Sequence, residues 1–348
     1  MSSLEEYVEK LNCADEAERT YAAEDIGYLN TPEGVMALLD RLEKESSRAV
    51  RDAIFQALIR IDGDAAIEGS IGLFGSEDPH IRNQAVEVLR RKSALSMPFL
   101  KAVMRSGDKD MRKLVLDALG GIQAGDAGEI YAAALSDTDP NVVITAVENL
   151  GRIRAGAYRS RIEDLLRADS HPMLIGACLE ALVGIGDASS LGAIRRRFPD
   201  LAALPDFLLA SCLKAVAALG TSADLAEVAR LLPVRGPHLR PAILGALAAI
   251  YPRCPAPDPG EDLWPALRAE VENGAPLCRF QAIKVLGFLA SRHDVYAFLV
   301  ACLSSPERLV RLGAIEALRG AAQPGLQETF DRCAQTERDE DVLQALSC

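Results

Sequence analysis

The side chains that could do chemistry in this chain of 348 residues are few, and their spacing suits none of the familiar reactions. Of four histidines, His80, His171 and His238 each stand where an apolar helical run begins, and His293 stands in a predicted turn. These are capping and turn places rather than metal-ligand spacings. The eight cysteines form no Cys-x-x-Cys pair and no Cys/His metal pattern. Cys178 and Cys212 fall on apolar positions, and Cys278 and Cys302 lie in amphipathic runs, so all four read as buried reduced thiols of a cytoplasmic protein. No His-Glu-x-x-His, Gly-x-Ser-x-Gly or glycine-rich phosphate loop occurs. No catalytic residue, cofactor or metal is therefore expected. What remains is the chemistry of recognition, carried by carboxylates, guanidinium groups and apolar side chains that recur at fixed intervals.

Those intervals come from a repeat. An apolar motif closing on Leu or Val recurs at Leu58, Leu89, Leu119, Leu150, Leu182, Val216, Leu247, Leu286 and Leu318, preceded by Ile26. Successive copies lie 30 to 34 residues apart, except for 39 between Leu247 and Leu286. A period of this size marks stacked supersecondary units, none able to bury its apolar face alone. Each unit reads as two helices. In Met97–Ile122, Phe99, Leu100 and Val103 share one side of a first helix, and Ser106-Gly107-Asp108 ends it. Met111, Leu114, Val115, Ala118 and Leu119 then make one apolar face of a second. Asp78-Pro79, Asp139-Pro140, His171-Pro172, Gly236-Pro237 and Ser305-Pro306 mark where second helices begin, since proline is tolerated in a first turn. The long interval holds Pro252, Pro255, Pro257 and Pro259, which predicts an extended loop over 252–262 and a break in an otherwise single array spanning 1–348.

Numbering each second helix from its first apolar anchor exposes two rows of charge. The residue six past the anchor reads Gln56, Glu87, Asp117, Glu148, Glu180, Lys214, Gly245, Lys284 and Glu316, with Glu24 in the matching place of the first unit. The residue next to the anchor is Arg19, Arg51, Arg82 and Arg112, then Val143, Ile175 and Leu209, then Arg240, Arg279 and Arg311. Two past the anchor, Thr20, Asp52, Asn83 and Lys113 give way to Ile144. Glu87, Asp117, Glu148 and Glu180 thus form an acidic ladder that either pairs with Arg82 and Arg112 between repeats or docks a basic partner. Val143, Ile144, Ile175 and Leu209 are either extra core or an exposed apolar patch, and an exposed patch would mark a binding site.

The net charge of −12 argues against a phosphate-backbone binder, which needs a basic stripe. No apolar run is long enough to span a membrane, and no signal peptide is visible.

Asp78-Pro79-His80-Ile81-Arg82 followed by Ala85-Val86-Glu87-Val88-Leu89 resembles the HEAT-repeat family, in particular its bacterial phycobilin-lyase-like form. The same pattern returns in Asp139–Val142 with Ala146–Gly151, and in Ser305–Arg311 with Ala314–Leu318. The resemblance implies an all-α, right-handed α-solenoid of about ten to eleven two-helix repeats whose second helices line a concave side. Deoxyhypusine hydroxylases of this kind need His-Glu pairs, and this chain has no His-Glu dipeptide. HEAT-like DNA glycosylases have a basic concave face, whereas this one is acidic or apolar. The expectation is a non-catalytic cytoplasmic adaptor that holds another protein along its concave face, in signalling or complex assembly. The alternative is a bilin lyase subunit or chromophore-handling factor.

Overall fold

A computed structural model describes residues 3–120, 125–168, 171–254, 263–321 and 323–347. Every regular element among them is a helix. The chain divides between Ala155 and Gly156 into two compact units. In the first, α1 (Leu4–Leu11) pairs with α2 (Glu16–Leu29), α3 (Pro32–Leu42) with α4 (Arg48–Arg60), and α5 (Asp64–Gly72) with α6 (Pro79–Lys92). α7 (Met97–Ser106) pairs with α8 (Lys109–Leu119), and α9 (Gly125–Ala134) with α10 (Pro140–Arg152). In the second unit the pairs are α11 (Arg159–Ala168) with α12 (Pro172–Ile185), α13 (Ala188–Arg197) with α14 (Asp206–Leu219), and α15 (Ser222–Val234) with α16 (Arg240–Ile250). α17 (Leu263–Asn273) follows with α18 (Pro276–Phe288), α19 (His293–Cys302) with α20 (Arg308–Ala321), and α21 (Leu326–Ala334) with α22 (Glu340–Ser347). Among the described residues these are eleven helix pairs, and the architecture is the all-α solenoid of two-helix repeats that the period predicts.

Within each unit the second helices pack on one another in order, α2 through α10 and α12 through α22. The buried stripe of α4 runs Val50, Ile54, Ala57 and Leu58, at intervals of four, three and one. That is the spacing that puts side chains on one helical face. α6 repeats it with Ile81, Ala85, Val88 and Leu89.

Second helices of the first unit start on side-chain caps. Asp15, Ser47, Asp78, Asp108 and Asp139 each accept a backbone N–H from the first turn, at 2.8–3.4 Å. Pro79, Pro140 and Pro172 sit in first turns as expected, and Pro276 does so too. Pro237 and Pro306 instead precede helices that begin at Arg240 and Arg308, and His293 opens α19 rather than standing in a turn. Of the proline-rich stretch, Tyr251–Arg253 forms a single 3-10 turn; residues 255–262 lie outside the described set.

How closely second helices approach depends on the residues flanking the repeat's Leu. The residue after it in one repeat meets the residue before it in the next. A Cβ placed on Gly27 would stand 2.9 Å from the Ala57 Cα and Cβ, and one on Gly287 would stand 3.0 Å from the Ala317 Cβ. Gly176, inside α12, has open space instead. Gly27→Ala should therefore destabilise the fold by about 1–3 kcal/mol through overpacking. Gly176→Ala should stabilise it by about 0.5–1 kcal/mol through helix propensity. Chemical denaturation of the two variants beside the parent measures both signs.

Candidate functional site

Six of the seven arginines beside the anchors join successive repeats. Arg19 donates to the carbonyls of Cys13 (3.1 Å) and Ala14 (2.8 Å) in the turn before its own helix. It also reaches both carboxylate oxygens of Glu45 in the next repeat, at 2.9 and 3.2 Å. Arg112 does the same with the Gly107 carbonyl (2.8 Å) and both oxygens of Asp137 (2.7 and 2.8 Å). Arg311 does it with the Ser305 carbonyl (2.9 Å) and Glu337 (2.7 and 3.1 Å). Arg51 pairs with Asp78 at 3.0 Å, Arg240 with Glu270 at 2.5 Å, and Arg279 with Glu307. Arg82 donates to the carbonyls of Ser76 (2.6 Å) and Glu77 (3.1 Å). A planar guanidinium suits this double task, since its fork fits a carboxylate while its remaining donors satisfy loop carbonyls. The acids were missed in the sequence because most lie in connecting turns outside the helical pattern. The signal that finds them is a carboxylate 25 to 30 residues after each of these six arginines.

Three of the four apolar residues that replace or adjoin this row belong to the core. Val143 is 5% exposed, Ile175 3% and Leu209 0%. The position beside the anchor is enclosed whichever residue fills it, as the nearly buried stems of Arg19, Arg112 and Arg311 show. An apolar side chain there replaces a covered arginine, so it creates no surface patch. Ile144 alone stays half-exposed, four residues before Glu148 on α10. Where the second-helix arginines are missing, other ion pairs join neighbouring repeats: Arg159 to Asp187 at 2.5 Å, Arg195 to Asp224 at 2.6 Å and Arg235 to Asp206 at 2.9 Å.

The acidic ladder does not pair with the arginine row. Glu87 binds Arg90 (3.1 Å) and Arg91 (2.7 Å) of its own helix. Asp117 is half-buried, and that burial pushes its carboxyl up against the opposing pull of Lys113, Arg90 and Arg152. Glu180 accepts from Lys214 at 2.6 Å, and Lys284 lies 3.6 Å from Glu316. Glu148 is exposed and makes no ion pair among the described residues. Residues 1–155 hold 27 acidic and 18 basic side chains, against 23 and 20 in residues 156–348, so the negative charge concentrates in the first unit.

A further row escaped the sequence reading because it lies one residue before the anchors. In the second unit it is Met173, Phe207, His238, Leu277 and Leu309, and its four apolar members are 65%, 55%, 57% and 51% exposed. Extending the repeat numbering one place upstream would have found it.

Among the described residues no three His, Cys, Asp or Glu side chains gather to hold a metal ion, and no helix is long and apolar enough to cross a membrane. Cys178, Cys212, Cys278 and Cys302 are buried. Burial pushes the Cys212 thiol up to about 12 and the Cys302 thiol to about 11, which suppresses the reactive thiolate.

Glu45 has the clearest pH signature. Burial alone would raise its carboxyl, but hydrogen bonds from Arg19, the Ser47 backbone N–H and Arg41 together hold it at about 2, below its ordinary 4.5. The folded state then binds fewer protons than the unfolded chain. This contribution to stability is complete above about pH 5 and is lost as pH falls toward 2. Thermal melts between pH 6 and pH 2.5 should show a steeper acid loss for the parent than for Glu45→Gln. Glu45→Ala should cost about 3–5 kcal/mol at neutral pH, because it strands the buried Arg19.

The family profile for HEAT repeats matches residues 4–90 and 96–183. Among curated proteins, none matches the sequence. Among solved structures, a crystal structure of importin beta in an ammonium sulfate condition superposes over 99% of this chain with a TM-score of 0.57. Its sequence is 14% identical, which shows a shared fold alone, and this chain covers 51% of that chain, about half its length. With half of its residues matched by the profile and its helix pairs stacked as that profile implies, the chain belongs to the HEAT-repeat family.

Proposed function

We propose that this chain is a non-catalytic protein-binding scaffold that docks a basic segment of another protein along the second-helix face of its first unit. Glu87, Asp117 and Glu148 supply the acidic contacts, with Ile144 as an apolar contact beside Glu148. The observation that carries the reading is the recurrence of a carboxylate at one outward position of consecutive second helices, within the unit where acidic side chains outnumber basic ones by 27 to 18. A stacked array presents such a row preformed, so a partner orders little of the scaffold on binding. In the second unit Glu180 holds the same position in α12, partly neutralised by Lys214. Val143, Ile175 and Leu209 act behind this face as packing. The setting that fits is cytoplasmic signalling or complex assembly in a bacterial cell.

A fluorescent Lys/Arg-rich peptide is a suitable probe. Its affinity for the parent should fall about tenfold between 50 and 300 mM salt, as expected of exposed charges. The triple variant Glu87→Gln, Asp117→Asn, Glu148→Gln should bind more weakly and with a flatter salt dependence. Equal affinity in a variant that melts like the parent rejects the reading. The bilin-handling alternative makes the opposite demand: a linear tetrapyrrole mixed with the chain would shift its visible absorbance. The scaffold reading expects no shift.

A further inference from the structure

The outward face of the second helices changes character in residues 156–348. Seven residues before each ladder position, two turns back along the same face, the first unit carries Ala17, Ala49, His80, Asp110 and Asn141. The second unit carries Met173, Phe207, His238, Leu277 and Leu309. The four apolar members are each more than half exposed; α12 packs on α14 and α18 on α20, and α16, which His238 precedes, packs between α14 and α18. Between this row and the ladder, the second unit places Gly176, Ala210, Pro241, Phe280 and Leu312, where the first carries Thr20, Asp52, Asn83, Lys113 and Ile144. The face ends in a groove of about 460 Å³ between α18 and α20, floored by Gly287, Ala317 and Gly320. Phe288 walls it, held by stacking on Tyr251 at 5.6 Å.

The charges on this face are already matched within the chain. Glu180 binds Lys214, Lys284 faces Glu316, and Asp206 takes both Arg235 (2.9 Å) and His238 (2.7 Å). A charged partner would gain little here and would have to break these pairs. An uncharged apolar surface can leave these pairs intact and removes the exposed side chains from water.

We propose that the second-helix face of residues 156–348 is a second docking surface, which takes the apolar side of an amphipathic helix from another protein. The spacing favours a helix lying across the layer. Packed helices stand about 8–10 Å apart, and one heptad of a crossing helix advances about 10.5 Å at 1.5 Å per residue. One apolar residue per heptad therefore meets one exposed residue per repeat. The inference rests on the chain being a docking scaffold, but on a different stretch of repeats and a different force from the acidic ladder.

The test uses the full chain and a fluorescein-labelled four-heptad peptide. The peptide carries leucine on one face and balanced glutamate and lysine on the other, and is kept below its own association concentration. Fluorescence anisotropy should give a Kd that changes less than about twofold between 50 and 500 mM salt, since little charge is exchanged. Phe207→Ser with Leu277→Ser should weaken binding at least about tenfold and leave the melting curve unchanged, because both side chains are exposed. Glu148→Gln should leave this Kd unaltered. The proposal is overturned if the peptide does not bind the parent, if the double variant binds as well as the parent, or if binding collapses with salt. It is also overturned if a proline-interrupted peptide of the same composition binds equally, or if light scattering shows the parent to be a dimer that the double variant dissolves. The last result would make a second copy of the chain the occupant. Salt-sensitive binding of the basic peptide with no binding of this one would leave the acidic reading standing and remove this one alone.

Discussion

No helix pair in this chain can close a core of its own. Within a unit, each second helix is covered by the first helix of its own repeat and by the second helices of the adjacent repeats. Folding is therefore conditional on stacking, and the residues that govern stacking are small ones. Glycine or alanine beside the repeat's leucine lets consecutive second helices approach until a single added Cβ would collide. The low aromatic content follows from the same constraint, because an interface this thin is filled best by Ala, Leu, Val and Ile.

Stacking by apolar contact alone leaves the register between repeats loosely specified, since one aliphatic surface slides on another at little cost. The arginine row removes that freedom. A guanidinium anchored on the carbonyls before its own helix and gripping a carboxylate of the next repeat fixes both the rotation and the height of one repeat on its neighbour. A partly buried pair of this kind adds little net stability over a hydrophobic substitute. Its contribution is geometric, and it holds the outward positions of successive helices in line so that a row of side chains becomes one surface.

The repeat, the two-helix unit, the capping aspartates and the apolar stripes were legible in the sequence because each is a local pattern of period 3.6 within a longer period of about 31. The roles of the rows were less legible. Val143, Ile175 and Leu209 could be read as core or as surface because arginine holds their position elsewhere, yet that arginine is itself enclosed. A polar residue type is a poor guide to exposure where a long apolar stem can be buried beneath a charged head. The partners of the arginines lay hidden in turns, which carry no periodicity. The exposed Met173, Phe207, Leu277 and Leu309 were passed over because an apolar residue next to an apolar anchor reads as more core.

The ion pairs also have a mechanical consequence. A stack of plates pinned along one edge bends most easily by opening at the opposite edge. In the first unit the pins Arg19–Glu45, Arg51–Asp78 and Arg112–Asp137 all lie at the starts of second helices. At the start of the second unit, Arg159–Asp187 and Arg195–Asp224 join first helices instead. The compliant edge thus differs between the two stretches of repeats. Load applied to the second-helix layer would meet a clamped seam in one and a freer seam in the other, so the two faces would answer the same pull with different stiffness.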